Sequence, residues 1–290
     1  SRGLGDVYKR QGYGSKDRYE GNAMVNRFVN NDQITFMGGA NNTNNMGFSD
    51  LASTMFSGMG GGGGRRGGFG AGSGITSSGN AGLNFSKEFK PDKLTLGGNT
   101  RYSHSDNDAR SKSDRQNILP GDSSSYDNSE AMSRTKSDNF GVDFRLEWKP
   151  DTMTQLIFRP SFSFSHSMND NFSDATTLDN ERDTVNTNKS SNYSESNGYN
   201  LNASIDFSRK LNNKGRVFSA TLSGGNSDSY SDGMNRSDIV YFNQTDALKN
   251  SIIDQRSRYD NKGFNYRAYV SWVEPIGHNN FIQATYSISQ

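Results

Sequence analysis

The sequence predicts an all-β fold: an antiparallel up-and-down meander of about 10 long strands, part of a transmembrane β-barrel with short turns at one end and long loops at the other. Three observations predict it. First, residues 139–166 form two alternating runs around a turn. Phe140, Val142, Phe144, Leu146 and Trp148 interleave with Gly141, Asp143, Arg145, Glu147 and Lys149, and Leu156, Phe158, Pro160, Phe162 and Phe164 continue the pattern beyond the turn. A period of two belongs to a strand, whose successive side chains point to opposite faces. Second, tight turns begin near residues 30, 90, 149, 212 and 274, a spacing of about 60 that points to a repeated unit. Third, only 30% of the residues are hydrophobic, against the roughly 45–50% of an ordinary globular chain. A disordered chain would be poor in aromatics, yet 18 Phe and 13 Tyr sit mostly inside the alternating runs. A sheet with one apolar face, one wet face and polar connections satisfies both facts.

Taken in order, residues 18–29 alternate weakly, with Tyr19, Gly21, Ala23 and Val25 on one side. Asn30-Asn31-Asp32 is a turn, and 33–40 is a strand carrying Ile34, Phe36, Gly38 and Ala40. Residues 41–74 break the pattern with an Asn-rich part, room for a short helix at 49–56, and a glycine tract over 58–74. Gly58, Gly60 and Gly63 match G-x-G-x-x-G, but that match is nearly automatic in a glycine run. A dinucleotide fingerprint needs a strand before it and a helix after it. The tract reads instead as a flexible loop that exposes Arg65 and Arg66.

Alternation resumes with Ala81, Leu83, Phe85 and Phe89, turns at Lys90-Pro91-Asp92-Lys93, and leaves through Leu94, Leu96, Gly98, Thr100 and Tyr102. Pro fixes φ in such a turn and Asp bonds local backbone. A polar break over 106–136 precedes the hairpin of 139–166, and another over 168–192 follows it. Tyr199, Leu201, Ala203, Ile205 and Phe207 form the next strand, Asn212-Asn213-Lys214-Gly215 turns the chain, and Phe218, Ala220, Leu222 and Gly224 lead out. A fourth break over 226–261 leaves room for a small hairpin. Phe264, Tyr266, Ala268, Val270 and Trp272 return, Glu274-Pro275-Ile276-Gly277 turns, and Ile282, Ala284, Tyr286 and Ile288 leave. The unit repeats in sequence as well as in pattern: Glu88-Phe89-Lys90-Pro91-Asp92 answers Glu147-Trp148-Lys149-Pro150-Asp151, and Tyr102-Ser103-His104-Ser105 answers Phe164-Ser165-His166-Ser167.

A water-soluble sandwich would also alternate. Three features favour a bilayer. The strands run about 10–15 residues, longer than the usual ~5–6 and enough for the ~9–11 of a tilted crossing. Short turns alternate strictly with long connections. Aromatics mark the ends of the apolar runs: Phe89, Trp148, Phe207 and Trp272 toward the turns, and Tyr102, Phe164 and Tyr199 toward the loops, as interfacial girdles would. Inside the best strands, Lys, Arg, Asp and Glu avoid the apolar parity. The other parity carries Asp143, Arg145, Glu147, Arg159, Asn200, Asp206 and Arg267, suited to a wet lumen.

Residues 12–290 resemble the front part of the large Gram-negative outer-membrane β-barrels of TonB-dependent-receptor type. The resemblance is carried by residues 138–165, by 113–128 (where Asp114 stands in place of a second Ser) and by 251–277. It implies a barrel of about 22 strands, preceded by a plug domain and often a carboxypeptidase-like module. It also implies substrate uptake across the outer membrane, and as partners outer-membrane lipid, the TonB complex reached through an upstream plug, and a surface lipoprotein. Residues 1–11 match no periodicity and read as a sequencing-adapter scar. Residues 12–290 are then expected to be a partial barrel domain whose N-terminal plug and C-terminal strands lie outside the chain, with two open edges.

The sequence assigns no catalytic, metal or cofactor site. The net charge is +1, from 32 basic and 31 acidic residues, so nothing points to nucleic acid. There is no Cys, which removes disulfides and thiolate metal sites. His104, His166 and His278 form no metal-helix motif, and His104 and His166 read as solvated interfacial residues. Asp106-Asn107-Asp108 begins like a calcium loop but lacks the Gly and Glu that complete one. Lys90, Lys149 and the loop arginines read as solvated charges, with contact to lipid headgroups as the alternative. No catalytic residue, metal ligand or cofactor is expected, and the chain is not expected to be an enzyme. The competing function is that of a surface-exposed β-rich binding or adhesion protein without transport. A weaker third, a glycan-active enzyme, would need two carboxylates within roughly 5–10 Å.

Overall fold

The computed structural model describes residues 4–14, 17–44, 74–118, 124–242, 250–276 and 280–290. They form one sheet of eleven antiparallel strands in the order of the sequence. The strands are β1 (Leu4–Gly14), β2 (Arg18–Val29), β3 (Asp32–Asn41), β4 (Ile75–Lys90), β5 (Leu94–Ile118), β6 (Ser124–Trp148), β7 (Thr154–Leu178), β8 (Thr184–Lys210), β9 (Val217–Tyr241), β10 (Asn250–Ile276) and β11 (Asn280–Ser289). The meander is the one the alternation predicts. No described helix is long and apolar enough to cross a membrane, which says nothing of crossing by strands.

Two features differ from expectation. The polar breaks at 106–136, 168–192 and 226–261 are mostly strand. The strands β5 to β10 run 25 to 27 residues each, and the connections between hairpins shrink to residues 119–123, 179–183 and 242–249. Once an alternating base fixes the register, the backbone ladder can propagate into residues of poor strand propensity. Cross-strand contacts then tie these arms together. Residues 4–11, which showed no periodicity, belong to β1, paired to β2 from Leu4↔Phe28 to Gly14↔Arg18. Backbone pairing requires only an open edge, and β2 offers one. The short helix expected at 49–56 and the glycine tract up to residue 73 lie outside the described residues, as does the last part of the turn at 274–277. Glu274 to Ile276 still belong to β10.

The short turns are built as their residues dictate. Asn30 and Asp92 take positive φ of 55° and 56°, a conformation that short polar side chains tolerate. Asp151 accepts from the Met153 backbone N–H at 2.8 Å and from the Thr154 hydroxyl at 3.2 Å. Asn212 accepts from the backbone N–H groups of Lys214 and Arg216, both at 3.0 Å. These bonds satisfy backbone groups that the turn takes out of the ladder.

The register makes the repeat spatial. Tyr102, Phe140, Phe164 and Tyr199 are successive cross-strand partners from β5 to β8. So are Leu94, Trp148, Leu156, Phe207, Ala220, Val270 and Tyr286 from β5 to β11. Tyr102, Phe164 and Tyr199 at the loop end, and Trp148 and Phe207 at the turn end, therefore lie in transverse lines, while Trp272 pairs with Phe218 one pleat beyond and Phe89 falls at the register shift between Glu88 and Lys90. Between the two lines lie Leu96, Leu146, Phe158, Ile205, Leu222, Ala268 and Ile288, partners in one further row. The result is a continuous apolar band.

Candidate functional site

The band and its reverse side are the parts of the molecule with a definite chemical character. Alternation places them back to back. Within the band the apolar parity of β5 to β8 carries no Asp, Glu, Lys or Arg, and on β9 and β10 only its loop-end row is charged, with Asp228 and Lys262 3.8 Å apart. Its side chains pack laterally. Phe85 and Phe144 meet edge-on at 6.3 Å, Phe140 and Phe162 at 6.5 Å, and Phe218 bridges Phe207 and Trp272 at 6.2 and 6.3 Å. Nothing among the described residues lies over them. Phe144 stays 40% exposed, Trp148 48% and Leu222 54%. A soluble protein rarely leaves so extended an apolar surface open.

The reverse face is polar, and it is the crowded one. Thr35, Met37, Gly82, Asn84, Gly97, Asn99, Gly141 and Ser271 are the buried positions among the described residues, and all have the polar parity. Side chains converge on the inside of a bent sheet and splay on the outside. The sheet is therefore bent with its polar face inward. That face holds the charges read from the sequence. Arg159 pairs with Asp206, which also accepts from the Thr221 hydroxyl at 2.8 Å. Arg145 pairs with Glu147 at 3.0 Å, and Glu147 with Lys149 at 2.7 Å and the Gln155 amide at 2.9 Å. Arg101 lies 3.7 Å from Asp143. These charges are thus met on their own face, and Asn200 and Arg267 share that parity.

Beyond the Tyr102–Tyr199 line the two faces exchange character. The parity that was apolar becomes ionic. Asp106 binds Arg134 at 2.8 Å and lies 3.7 Å from Lys136, Lys112 meets Glu130 at 3.0 Å, Lys189 meets Asp174 at 3.5 Å, and Arg256 meets Asp232 at 2.6 Å. The hydrogen bond from Arg134 holds the Asp106 carboxyl below the ordinary carboxylate range, and that from Arg256 does the same to Asp232. His104 and His166 stand in this parity just past the aromatic line. The Nδ1 of His104 is 2.7 Å from Asp138 Oδ1, which also accepts from the Tyr102 hydroxyl at 2.6 Å, and the Nδ1 of His166 is 2.7 Å from Asn197 Oδ1. No three His, Asp or Glu side chains gather among the described residues. Asp106, the head of the calcium-like triplet, is engaged by arginine.

The opposite parity of the arms, which continues the inward polar face, carries hydroxyls, amides and glycines. Ser78, Ser105, Ser137, Ser167, Ser196 and Ser231 are consecutive partners across six strands, and Tyr259 ends the line on β10. The Ser196 hydroxyl donates to Ser231 at 2.9 Å. The sequence pattern does not reveal this row, because its members lie far apart along the chain. The only visible trace is the repeated Ser-His-Ser at 103–105 and 165–167.

No family model matches the chain, and no curated protein is similar to it. Solved structures that align with it include three receptors. The ferric-catecholate import receptor Fiu of E. coli K12, in its closed form, aligns over 98% of this chain and 45% of its own, with 9% identity and a TM-score of 0.40. The ferric yersiniabactin uptake receptor FyuA of Yersinia pestis covers 93% and 46%, with 9% identity and a TM-score of 0.22. The alcaligin outer membrane receptor FauA of Bordetella pertussis covers 99% and 44%, with 12% identity and a TM-score of 0.23. The chain thus spans less than half the length of each.

Proposed function

We propose that this chain is a segment of a Gram-negative outer-membrane β-barrel of TonB-dependent-receptor type, with a role in substrate uptake and no catalytic activity. One observation carries the proposal. The apolar band crosses the sheet without a charge on β5 to β8, with only the Asp228–Lys262 pair in its loop-end row on β9 and β10, and without a second layer of described residues over it, while the inward face is polar. From the Tyr102–Phe140 row to the Leu94–Trp148 row the band measures about 27 Å along the strands at ~3.4 Å per residue. At the ~40° tilt of such barrels this is about 21 Å of membrane normal, close to the ~25 Å height of their apolar belt. Hydrocarbon is the covering that fits such a band.

In this reading outer-membrane lipid meets Phe140 to Trp148 and their row partners. Closure of the barrel falls to strands outside the chain. The TonB complex, through a plug domain, and a surface lipoprotein are the protein partners. Lys149 and Lys90, at the short turns, meet the headgroup layer. The test is phase partition of the full-length chain in Triton X-114. The chain is expected in the detergent-rich phase and in sedimenting membranes. Recovery in the aqueous phase without detergent would favour the surface binding or adhesion protein instead.

A further inference from the structure

The inward face of the arms differs from the face behind it in one respect above all, the absence of charge. On β5 to β10, from the serine row of Ser105 to Ser231 out to the row of Ser113, Ser129 and Asn188, the inward parity has no Asp, Glu, Lys or Arg. The same strands carry most of their charges on the outward parity one residue away. A composition effect would thin charges on both faces. Solvation alone would not separate them either, since both faces of the arms are open to water. The separation therefore reflects what the inward face meets.

A second, independent observation lies on the same face, between the serine row and the ionic cluster near the turns. Asn99 is 5% exposed, and its amide oxygen has no hydrogen-bond partner. A buried acceptor without a donor costs free energy, and a hydroxyl or water supplies what it lacks. In the same transverse row, Gly225 leaves a gap between Asn202 and Asn265. A Cβ there would lie 2.6 Å from Asn265 Oδ1 and closer still to Asn202 Oδ1. Two amide oxygens therefore lean over a bare backbone, and from β5 to β10 the row's single charge is Asp143, at its other end beside Asn99.

We propose that this face takes an uncharged, hydroxyl-rich solute of the oligosaccharide class, which passes along it toward the ionic cluster. The proposal rests on the transport reading above and names its substrate class. Serine hydroxyls and asparagine amides both donate and accept, as sugar hydroxyls do. A face without fixed charge neither traps nor repels a neutral solute, whereas rings of charge select ions. The Tyr259 ring, 62% exposed at the end of the serine row, offers an amphipathic surface on which the carbon face of a sugar ring can rest. The weak grip of such a surface suits passage.

The test uses the full-length chain in lipid vesicles with three probes: maltoheptaose, the same oligosaccharide sulfated, and a ferric tris-catecholate. Insertion is scored first, by protection of the strands from added protease. An inserted chain is expected to bind maltoheptaose at least about tenfold more tightly than either anionic probe. Ser196→Asp and Gly225→Leu should each reduce that binding about tenfold, while Glu195→Ser, on the opposite face, should leave it unchanged. An inserted chain that binds the anionic probes as well as or better than maltoheptaose, or that binds none of the three, overturns this inference and leaves the transport reading standing. A chain that does not insert overturns both.

Discussion

Leu146→Arg is expected to abolish assembly of the chain into membranes, while Arg145→Leu, one residue away, leaves assembly near wild type. Leu146 sits in an inner row of the apolar band, between Leu96 and Phe158. A guanidinium there faces hydrocarbon and costs roughly 2–4 kcal/mol, a large part of the stability of a marginal sheet. Arg145 lies on the inward face with Glu147 at 3.0 Å and remains 43% exposed. Removing an exposed ion pair of this kind costs about 1 kcal/mol or less. The measurement is the heat-modifiable, membrane-inserted fraction of each variant in vesicles. Equal losses for the two would mean that both parities meet the same environment.

Gly97 and Gly98 give the second large contrast, with opposite signs at adjacent positions. A Cβ at 98 would lie 2.7 Å from Phe144 Cδ1 and 3.0 Å from both Phe85 Cε1 and the Asp143 carbonyl. The Phe85–Phe144 ring pair closes over that glycine and cannot keep its place. Gly98→Ala is therefore expected to destabilise by about 1–3 kcal/mol, as overpacking does. A Cβ at 97 would meet the Phe85 carbonyl at 3.5 Å and the Ser86 hydroxyl at 4.0 Å, ordinary contacts. Gly97→Ala should gain up to about 1 kcal/mol, because glycine in a strand interior carries an entropic cost. Urea midpoints of the two variants in the same detergent measure the difference. A stable Gly98→Ala would show that the two rings do not converge there.

The contrast between 97 and 98 also shows how much was legible beforehand. The base of every hairpin from β4 onward could be read from its alternation, because Phe, Leu, Ile and Trp at every second position fit only a strand with one apolar face. Trp148 and Phe207 could be assigned to the turn end from parity alone. Their union into a single transverse line is a matter of register, which the 60-residue repeat implied but did not specify. The arms were read as loops for a physical reason. Residues 106–136 consist largely of Ser, Asn, Asp, Lys and Arg, the composition of a loop, and what orders them is pairing to another strand, as Asp106 pairs to Arg134. Such a bond joins residues 28 apart in the chain and leaves no local signature. The row from Ser78 to Ser231 was hidden in the same way, since no single strand contributes more than one member to it.

One measurement tests the central claim directly. The chain has no cysteine, so single cysteines carrying a nitroxide label can be placed at each position from Phe140 to Trp148 in lipid vesicles. Collisions with dissolved oxygen, which concentrates in hydrocarbon, and with a water-soluble nickel chelate are then read by electron paramagnetic resonance. Oxygen accessibility should peak at 140, 142, 144, 146 and 148, and nickel accessibility at 141, 143, 145 and 147. Low accessibility to both reagents at the even positions would mean that protein covers that row, and the membrane-spanning account would be wrong.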